Sequence, residues 1–168
     1  MNITLRDEHL EDIDNITRLT EAAFANAEHS SHTEQHIVNA LRRAHQLTVS
    51  RVAIEDDILV GHVAISPVTL SSGVGGWYGL GPISVLPARQ GKGIGAALME
   101  AALAQLRHMG AAGCVVLGDP GYYARFGFAV QPGLTLPGVP AEYFQALAFA
   151  GSPAQGTVQY HDAFDARE

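Results

Sequence analysis

The chain has 168 residues, the length of a single domain, and 47% of them are apolar, which supports a packed core and excludes extended disorder. Its formal net charge of −7 disfavours nucleic acid as a partner, because binding a phosphate backbone needs a basic face. The lone cysteine, Cys114, rules out an intrachain disulfide and predicts a reducing, cytoplasmic setting. With no signal-peptide pattern and no apolar run of membrane-spanning length, we expect no membrane association and one domain over residues 1–168.

The N-terminal part of the chain predicts one strand followed by two helices. The strand covers Ile3–Arg6, and the first helix starts within the acidic stretch Asp7–Asp12. Helical spacing places these apolar positions on one buried face: Leu10, Ile13, Ile16 (or Thr17), Leu19 (or Thr20), Ala23 and Phe24. A polar loop over residues 26–33 separates this helix from a second one, Glu34–Arg43, whose inward positions are Ile37, Val38 and Leu41.

The next segment predicts a meander of antiparallel strands. Leu47–Ile54 alternates and is β-branched, and a short acidic turn leads into the longer strand Ile58–Leu70. A glycine and serine turn over residues 71–76 precedes the next strand, Trp77–Val85. Gly81 and Pro82 lie inside that strand and predict a bulge or a broken ladder, which opens its edge.

Glycines recur at alternate positions after the meander, at Gly91, Gly93 and Gly95, and an alanine-rich helical pattern then runs over residues 94–109. Side chains are therefore missing where the backbone has to approach something closely. The N-terminus of a helix carries free N–H groups and a partial positive charge, which attract anions. We interpret this stretch as a phosphate or pyrophosphate cradle, to which Arg89 and Lys92 add positive charge.

Two other motifs use glycines in a similar way. A P-loop requires Ser or Thr directly after Gly-Lys, and here Gly93 follows Lys92. The dinucleotide-binding pattern G-x-G-x-x-A does fit residues 91–96, and Asp119 lies after the next apolar strand, where the ribose-binding acid is expected. The order of elements opposes that fold, because its glycine motif follows the first strand, whereas here a helical pair and a meander come first.

The last part of the chain predicts a strand at Cys114–Leu117, buried on both faces, and a short helix that carries Tyr122, Tyr123 and Arg125. Prolines then mark loops, and the segments Phe144–Phe149 and Thr157–Tyr160 are two candidate terminal strands.

Two segments resemble motifs of the GNAT superfamily of N-acetyltransferases. Gln90–Gly95 matches its acetyl-CoA motif Gln/Arg-x-x-Gly-x-Gly/Ala, and Tyr123–Phe128 matches Tyr-x-Lys/Arg-x-Gly-Phe. Within the superfamily, the segment Gly118–Phe128 is similar to small bacterial acetyltransferases of the YhbS-like type. The resemblance implies an α/β (α+β) fold with a mixed central sheet of about six to seven strands and helices on both faces.

The resemblance also implies roles for individual residues. Tyr123 would protonate the leaving thiolate or, alternatively, only pack as an aromatic residue that lines the pantetheine channel. The Val85 N–H would stabilise the oxyanion, unless the strand that carries it is paired in the ordinary way. Asp119 would contact the pantetheine arm or, alternatively, cap the following helix. The complete set of residues expected to bind the cofactor is Ile83, Ser84, Val85, Gln90, Gly91, Lys92, Gly93, Ile94, Gly95, Asp119, Tyr123 and Arg125.

The acceptor side of the reaction is less well defined. In the family it is formed by the first helical pair, where Glu28 and the histidines His29, His32 and His36 are candidates for a base or a substrate contact, or simply for solvated surface. Their spacing looks metal-like, but the family needs no metal and we expect none. We therefore expect an enzyme that uses acetyl-CoA to acetylate a small amine, with a CoA-binding sensor or a protein acetyltransferase as alternatives. A homodimer is compatible with the resemblance.

Overall fold

A computed structural model describes residues 2–28 and 30–168. The described residues form strands and helices in this order: β1 Ile3–Asp7, α1 Ile13–Phe24, α2 Glu34–Arg43, β2 Val49–Glu55, β3 Ile58–Leu70, β4 Trp77–Val85, α3 Ile94–His108, β5 Gly113–Leu117, α4 Pro120–Tyr123, β6 Leu134–Thr135, β7 Phe144–Ala148 and β8 Gly156–Tyr160. Short 3-10 turns lie at Leu10–Asp12, Pro87–Arg89, Ala124–Phe126, Ala141–Tyr143 and Asp162–Asp165.

The strands form one mixed sheet in the order β1-β2-β3-β4-β5-β7. The first four strands are an antiparallel meander, β5 runs parallel to β4, and β7 returns antiparallel to β5. Strand β8 extends the sheet by pairing with the far end of β3, and it also pairs with β6. The predicted mixed sheet is confirmed, and its eight strands include β6, whose two residues are too few to show a period in the sequence.

The sheet is covered on both faces, as expected. On one face, α3 buries Leu98, Ala102 and Leu106 against a large apolar cluster that includes Val63 of β3. On the other face, α1 and α2 pack through Ile16 and Val38 against Val52 of β2. No helix in the described part of the chain is both long and apolar enough to span a bilayer.

Two predicted core positions are wrong. Leu117, at the end of β5, is 46% exposed, although its strand is predicted to be buried on both faces. Leu10 is 87% exposed, although the spacing of apolar residues placed it on the buried face of the first helix. The helix begins only at Ile13, and Leu10 lies in the preceding 3-10 turn, where the larger rotation per residue turns its side chain off that face.

Candidate active site

Strands β4 and β5 separate partway along their length. Their parallel pairing ends at Leu80 and Val116, whereas β4 continues to Val85. The register between β3 and β4 shifts at Gly81 and Pro82, which is the predicted bulge. Beyond this bulge the outer edge of β4 has no strand beside it among the residues that the structure describes.

Backbone groups of this open edge point into the gap. Across the β3–β4 ladder, Leu86 donates its N–H to the carbonyl of Val60, 2.9 Å away. In an antiparallel pair the hydrogen-bonded positions alternate, so the backbone groups of Ile83 and Val85 point away from β3. The Val85 carbonyl confirms this direction, because it accepts a hydrogen bond from Nε2 of Gln90 at 3.1 Å.

The glycine loop leads from this edge into α3 with an open concave surface. Gly91 and Gly93 have φ angles of +76° and +85°, values that side chains other than glycine rarely adopt. A Cβ atom built on either residue would meet no atom within 4 Å. Gly93 is the N-cap of α3, and no side chain caps this helix. Its first N–H groups therefore remain available to an anion, as the sequence predicts.

The loop and the strand edge together enclose a cavity of about 430 Å³, here called the glycine cavity. Its lining consists of Ile83, Val85, Arg89, Gln90, Gly91, Gly93, Ile94, Gly95, Ala96, Tyr122 and Arg125. Most of the residues predicted to bind the cofactor thus come together here, but Ser84, Lys92, Asp119 and Tyr123 do not belong to the lining.

The cations around the glycine cavity differ in how firmly they are held. Nε of Arg89 lies 2.8 Å from Oε1 of Glu55 in an ion pair whose angle is too bent for a hydrogen bond. The guanidinium of Arg125 stacks on the ring of Tyr122, 4.5 Å from its centre, and its Nε donates to the Tyr122 carbonyl. Lys92 is exposed on the outer side of the loop. The two arginines are therefore the positioned cations of this cavity.

A second cavity of about 380 Å³, here called the aromatic cavity, occupies the other side of the strand gap. Its lining consists of Phe24, Glu34, Ile37, Leu80, Gly81, Pro82, Ile83, Leu117, Tyr123, Leu136, Tyr160 and Phe164. Ile83 borders both cavities, so the two meet at this residue of the open edge of β4.

Tyr123 faces the aromatic cavity from α4. Burial raises the pKa of its hydroxyl to about 12, with smaller contributions from Tyr122 and Asp119, so the group stays protonated near neutral pH. Its ring packs edge-on against Phe128 and leaves no room for a side chain at Gly118, where a Cβ would lie 2.7 Å from a ring carbon. The neighbouring Tyr122 points to the glycine cavity instead.

Asp119 forms the cap of α4. Its Oδ1 accepts a hydrogen bond from the N–H of Gly121 at 2.9 Å, which is the alternative role that the sequence allowed. The residue borders a separate cavity together with Leu117 and Tyr143, so a contact with the cofactor stays a prediction.

Ser84 points away from both cavities into a buried polar network. It lies opposite His62 on β3, and its Oγ is buried without a partner. Nε2 of His62 lies 2.8 Å from Oγ of Ser50, which donates to Glu8, and Arg42 donates two hydrogen bonds to the same carboxylate. Burial lowers the pKa of His62 to about 4, so it is neutral at pH 7. The structure therefore does not bring Ser84 to the glycine cavity.

The predicted acceptor residues are only partly brought to a cavity. Glu28 is exposed and lines neither the glycine cavity nor the aromatic cavity, and His29 lies outside the described residues. His32 is exposed, and His36 approaches the side chain of Gln35. Across residues 2–28 and 30–168, no three His, Cys, Asp or Glu side chains form a cluster that could hold a metal ion. A catalytic role for Glu28 stays a prediction.

Comparison with known proteins decides the family. Residues 11–128 match the model of the acetyltransferase (GNAT) family. The chain belongs to the GNAT family. The N-acetyltransferase YhbS of Escherichia coli is 34% identical over 143 residues, which cover 80% of this chain and 85% of that protein. The predicted YhbS-like type of GNAT acetyltransferase is thereby confirmed.

Two solved GNAT structures share the fold over nearly the whole chain. A GNAT acetyltransferase from Brucella melitensis, crystallised with acetyl-CoA, has a TM-score of 0.88 and 51% identity over 98% of this chain and 99% of that one. The Escherichia coli YhbS structure, crystallised with CoA, has a TM-score of 0.88 and 32% identity over 97% and 92% of the two chains.

Sequence reasoning missed two residues that line these cavities, Tyr122 and Glu34. Sequence patterns assign no role to Tyr122, but its hydroxyl lies 3.3 Å from the position of a Cβ on Gly95, beside the start of α3. Glu34 was seen only as the start of a helix, and it is the carboxylate of the aromatic cavity. Its place directly before the motif Tyr123–Phe128 could have suggested Tyr122, whereas nothing local to Glu34 indicates that it faces a cavity.

Proposed function

We propose that this chain is an acetyl-CoA-dependent N-acetyltransferase that moves an acetyl group directly to the primary amine of a small molecule. The observation that carries the proposal is the open edge of β4, whose residue Ile83 borders both the glycine cavity and the aromatic cavity. A peptide-like pantetheine arm can pair with such an edge, while the pyrophosphate occupies the free N–H groups of α3. The presence of acetyl-CoA and CoA in the two solved relatives supports this assignment.

Direct transfer needs three functions from the protein. A base takes a proton from the amine, and Glu28 stays the predicted candidate for this role. The amine nitrogen then attacks the thioester carbonyl carbon, the new C–N bond forms, and the C–S bond breaks as the leaving thiolate gains a proton. The outward N–H of Val85 can donate to the oxyanion, because the bulge leaves it unpaired on that side. The Tyr123 hydroxyl can donate to sulfur. Its raised pKa weakens it as a free acid but keeps the proton in place until negative charge develops on the thiolate.

Calorimetry and product analysis test this proposal. Acetyl-CoA should bind and raise the melting temperature, and NADH should do so much less, because its nicotinamide arm cannot pair with the strand edge. Thiol release in the presence of an amine, with the acetylated amine identified by mass spectrometry, would establish transfer. Binding without thiol release on any amine would indicate a CoA sensor, and equal stabilisation by NADH would overturn the cofactor assignment.

A further inference from the structure

The aromatic cavity contains one charged side chain, Glu34, in a lining that is otherwise apolar, aromatic or backbone. From this contrast, and resting on the proposed function, we propose that the acetyl acceptor is a monoamine with a flat apolar body, such as an arylalkylamine. Glu34 binds its ammonium group and so determines specificity.

Aromatic rings from distant parts of the chain build the walls. Phe24 ends α1, and Phe164 lies in the 3-10 turn that follows β8. The rings of Tyr160 and Phe164 are 4.8 Å apart, and Tyr160 lies so close over Gly79 that a Cβ there would be 2.4 Å from a ring carbon. Rings held in this way present flat apolar faces, which bind another flat apolar group well.

Glu34 supplies the charge that such a ligand needs at one end. Its carboxylate oxygens lie 2.8 and 2.7 Å from the hydroxyl of Ser30, which orients the group. The five ion pairs found among the described residues do not include Glu34. A partly buried carboxylate is stabilised by a cationic donor, and an ammonium group can supply up to three N–H bonds. Because Glu34 is also the first residue of α2, helix-dipole stabilisation is a competing explanation that an experiment has to exclude.

The same lining disfavours other amine classes. A polyamine would bring a second ammonium group into a lining with a single carboxylate, and a sugar amine would leave buried hydroxyl groups unpaired. Leu136, Tyr160 and Phe164, which also line this cavity, offer few hydrogen-bond partners to the backbone of a peptide. All three follow residue 128, where the match to the family model ends.

A panel of four amines tests the class of acceptor. Thiol release at saturating acetyl-CoA is measured with 2-phenylethylamine, with phenylalanine, which adds a carboxylate beside the amine, with spermidine and with a lysine-containing peptide. We expect kcat/KM for 2-phenylethylamine to exceed that of each other amine at least tenfold, about the value of one hydrogen bond to a charged group. A preference for spermidine or the peptide would overturn the proposal.

The Glu34→Gln variant tests whether Glu34 binds the ammonium group of the acceptor. It should raise KM for 2-phenylethylamine about tenfold and reduce the discrimination against phenylalanine, with KM for acetyl-CoA unchanged. Glu21→Gln, at an exposed position of α1, is the matched control. An unchanged amine KM in Glu34→Gln would leave only the helix-dipole role and overturn the proposal.

Calorimetric binding of 2-phenylethylamine to the CoA-saturated protein gives a result independent of turnover. Binding that Glu34→Gln weakens supports the acceptor class even if no transfer occurs, whereas no binding overturns it.

Discussion

The glycine cavity and the aromatic cavity are built in opposite ways, although Ile83 belongs to both. Most of the glycine cavity comes from one continuous segment, residues 83–96, in which backbone groups and missing side chains form the surface. The aromatic cavity is assembled from side chains between Phe24 and Phe164, carried by both helices of the first pair, two central strands and the C-terminal turn. Under the proposed function, a local backbone motif would hold the cofactor, whereas tertiary packing would select the acceptor.

Among the variants considered, Tyr123→Phe should reduce activity most. It tests the comparison at the residue where the two proposed substrates would meet. The change keeps the ring against Phe128 and removes only the hydroxyl, so kcat should fall about 10²-fold while KM for acetyl-CoA changes little. Steady-state kinetics measure both values, and Tyr143→Phe at an exposed position serves as the control. A normal kcat in Tyr123→Phe would show that this tyrosine only packs.

A substitution in the glycine cavity should weaken binding of the cofactor and leave binding of the amine unchanged. In Gly93→Ala, the new Cβ enters the space reserved for the anion, so affinity for CoA should fall about tenfold or more. Gly73→Ala is a matched control, because its φ of +82° and its empty surroundings resemble those of Gly93, yet it lies in a distant turn.

Both substitutions place a side chain at positive φ, which should lower the free energy of unfolding by a similar amount, on the order of 1 kcal/mol. Calorimetry with CoA and urea unfolding separate the two effects. Equal loss of CoA affinity in both variants would mean that strain, and not occupation of the cradle, causes the loss.

The polar network behind β4 should affect stability more than activity. His62 has a pKa of about 4 when folded against an ordinary value of 6.5, so the unfolded chain gains a proton first as the pH falls. The unfolding free energy is therefore insensitive to this group above pH 6.5 and falls as the pH drops towards 4, by at most about 1.4 kcal/mol per pH unit.

Urea unfolding across this pH range measures the effect. His62→Gln should flatten the dependence of unfolding free energy on pH, whereas His108→Gln, at an exposed position of α3, should keep it. The same slope in His62→Gln as in the unsubstituted protein would place the titration elsewhere.

The sequence predicted the parts that depend on neighbouring residues. The bounds of α2 and β4 follow from local apolar periodicity, and Gly91 and Gly93 signal the cradle because their backbone geometry is local. The direction of Ser84 could not be predicted, because it depends on which face of the sheet the bulged register assigns to each residue of β4.

The aromatic cavity could not be predicted from the sequence, for a related reason. Phe24, Glu34 and Phe164 are brought together by the packing of the C-terminal turn on α2, through Ala163 against Ile37 and Leu41. No spacing or motif records a contact between residues so far apart in the chain.

The most direct test of the division between the two cavities is a kinetic comparison of Gly93→Ala and Glu34→Gln on the same amine. The proposal predicts that Gly93→Ala raises KM for acetyl-CoA alone, that Glu34→Gln raises KM for the amine alone, and that the double variant shows both changes without interaction. If both variants raise the same KM, or if Glu34→Gln weakens acetyl-CoA, the two cavities do not serve separate substrates and the account is contradicted.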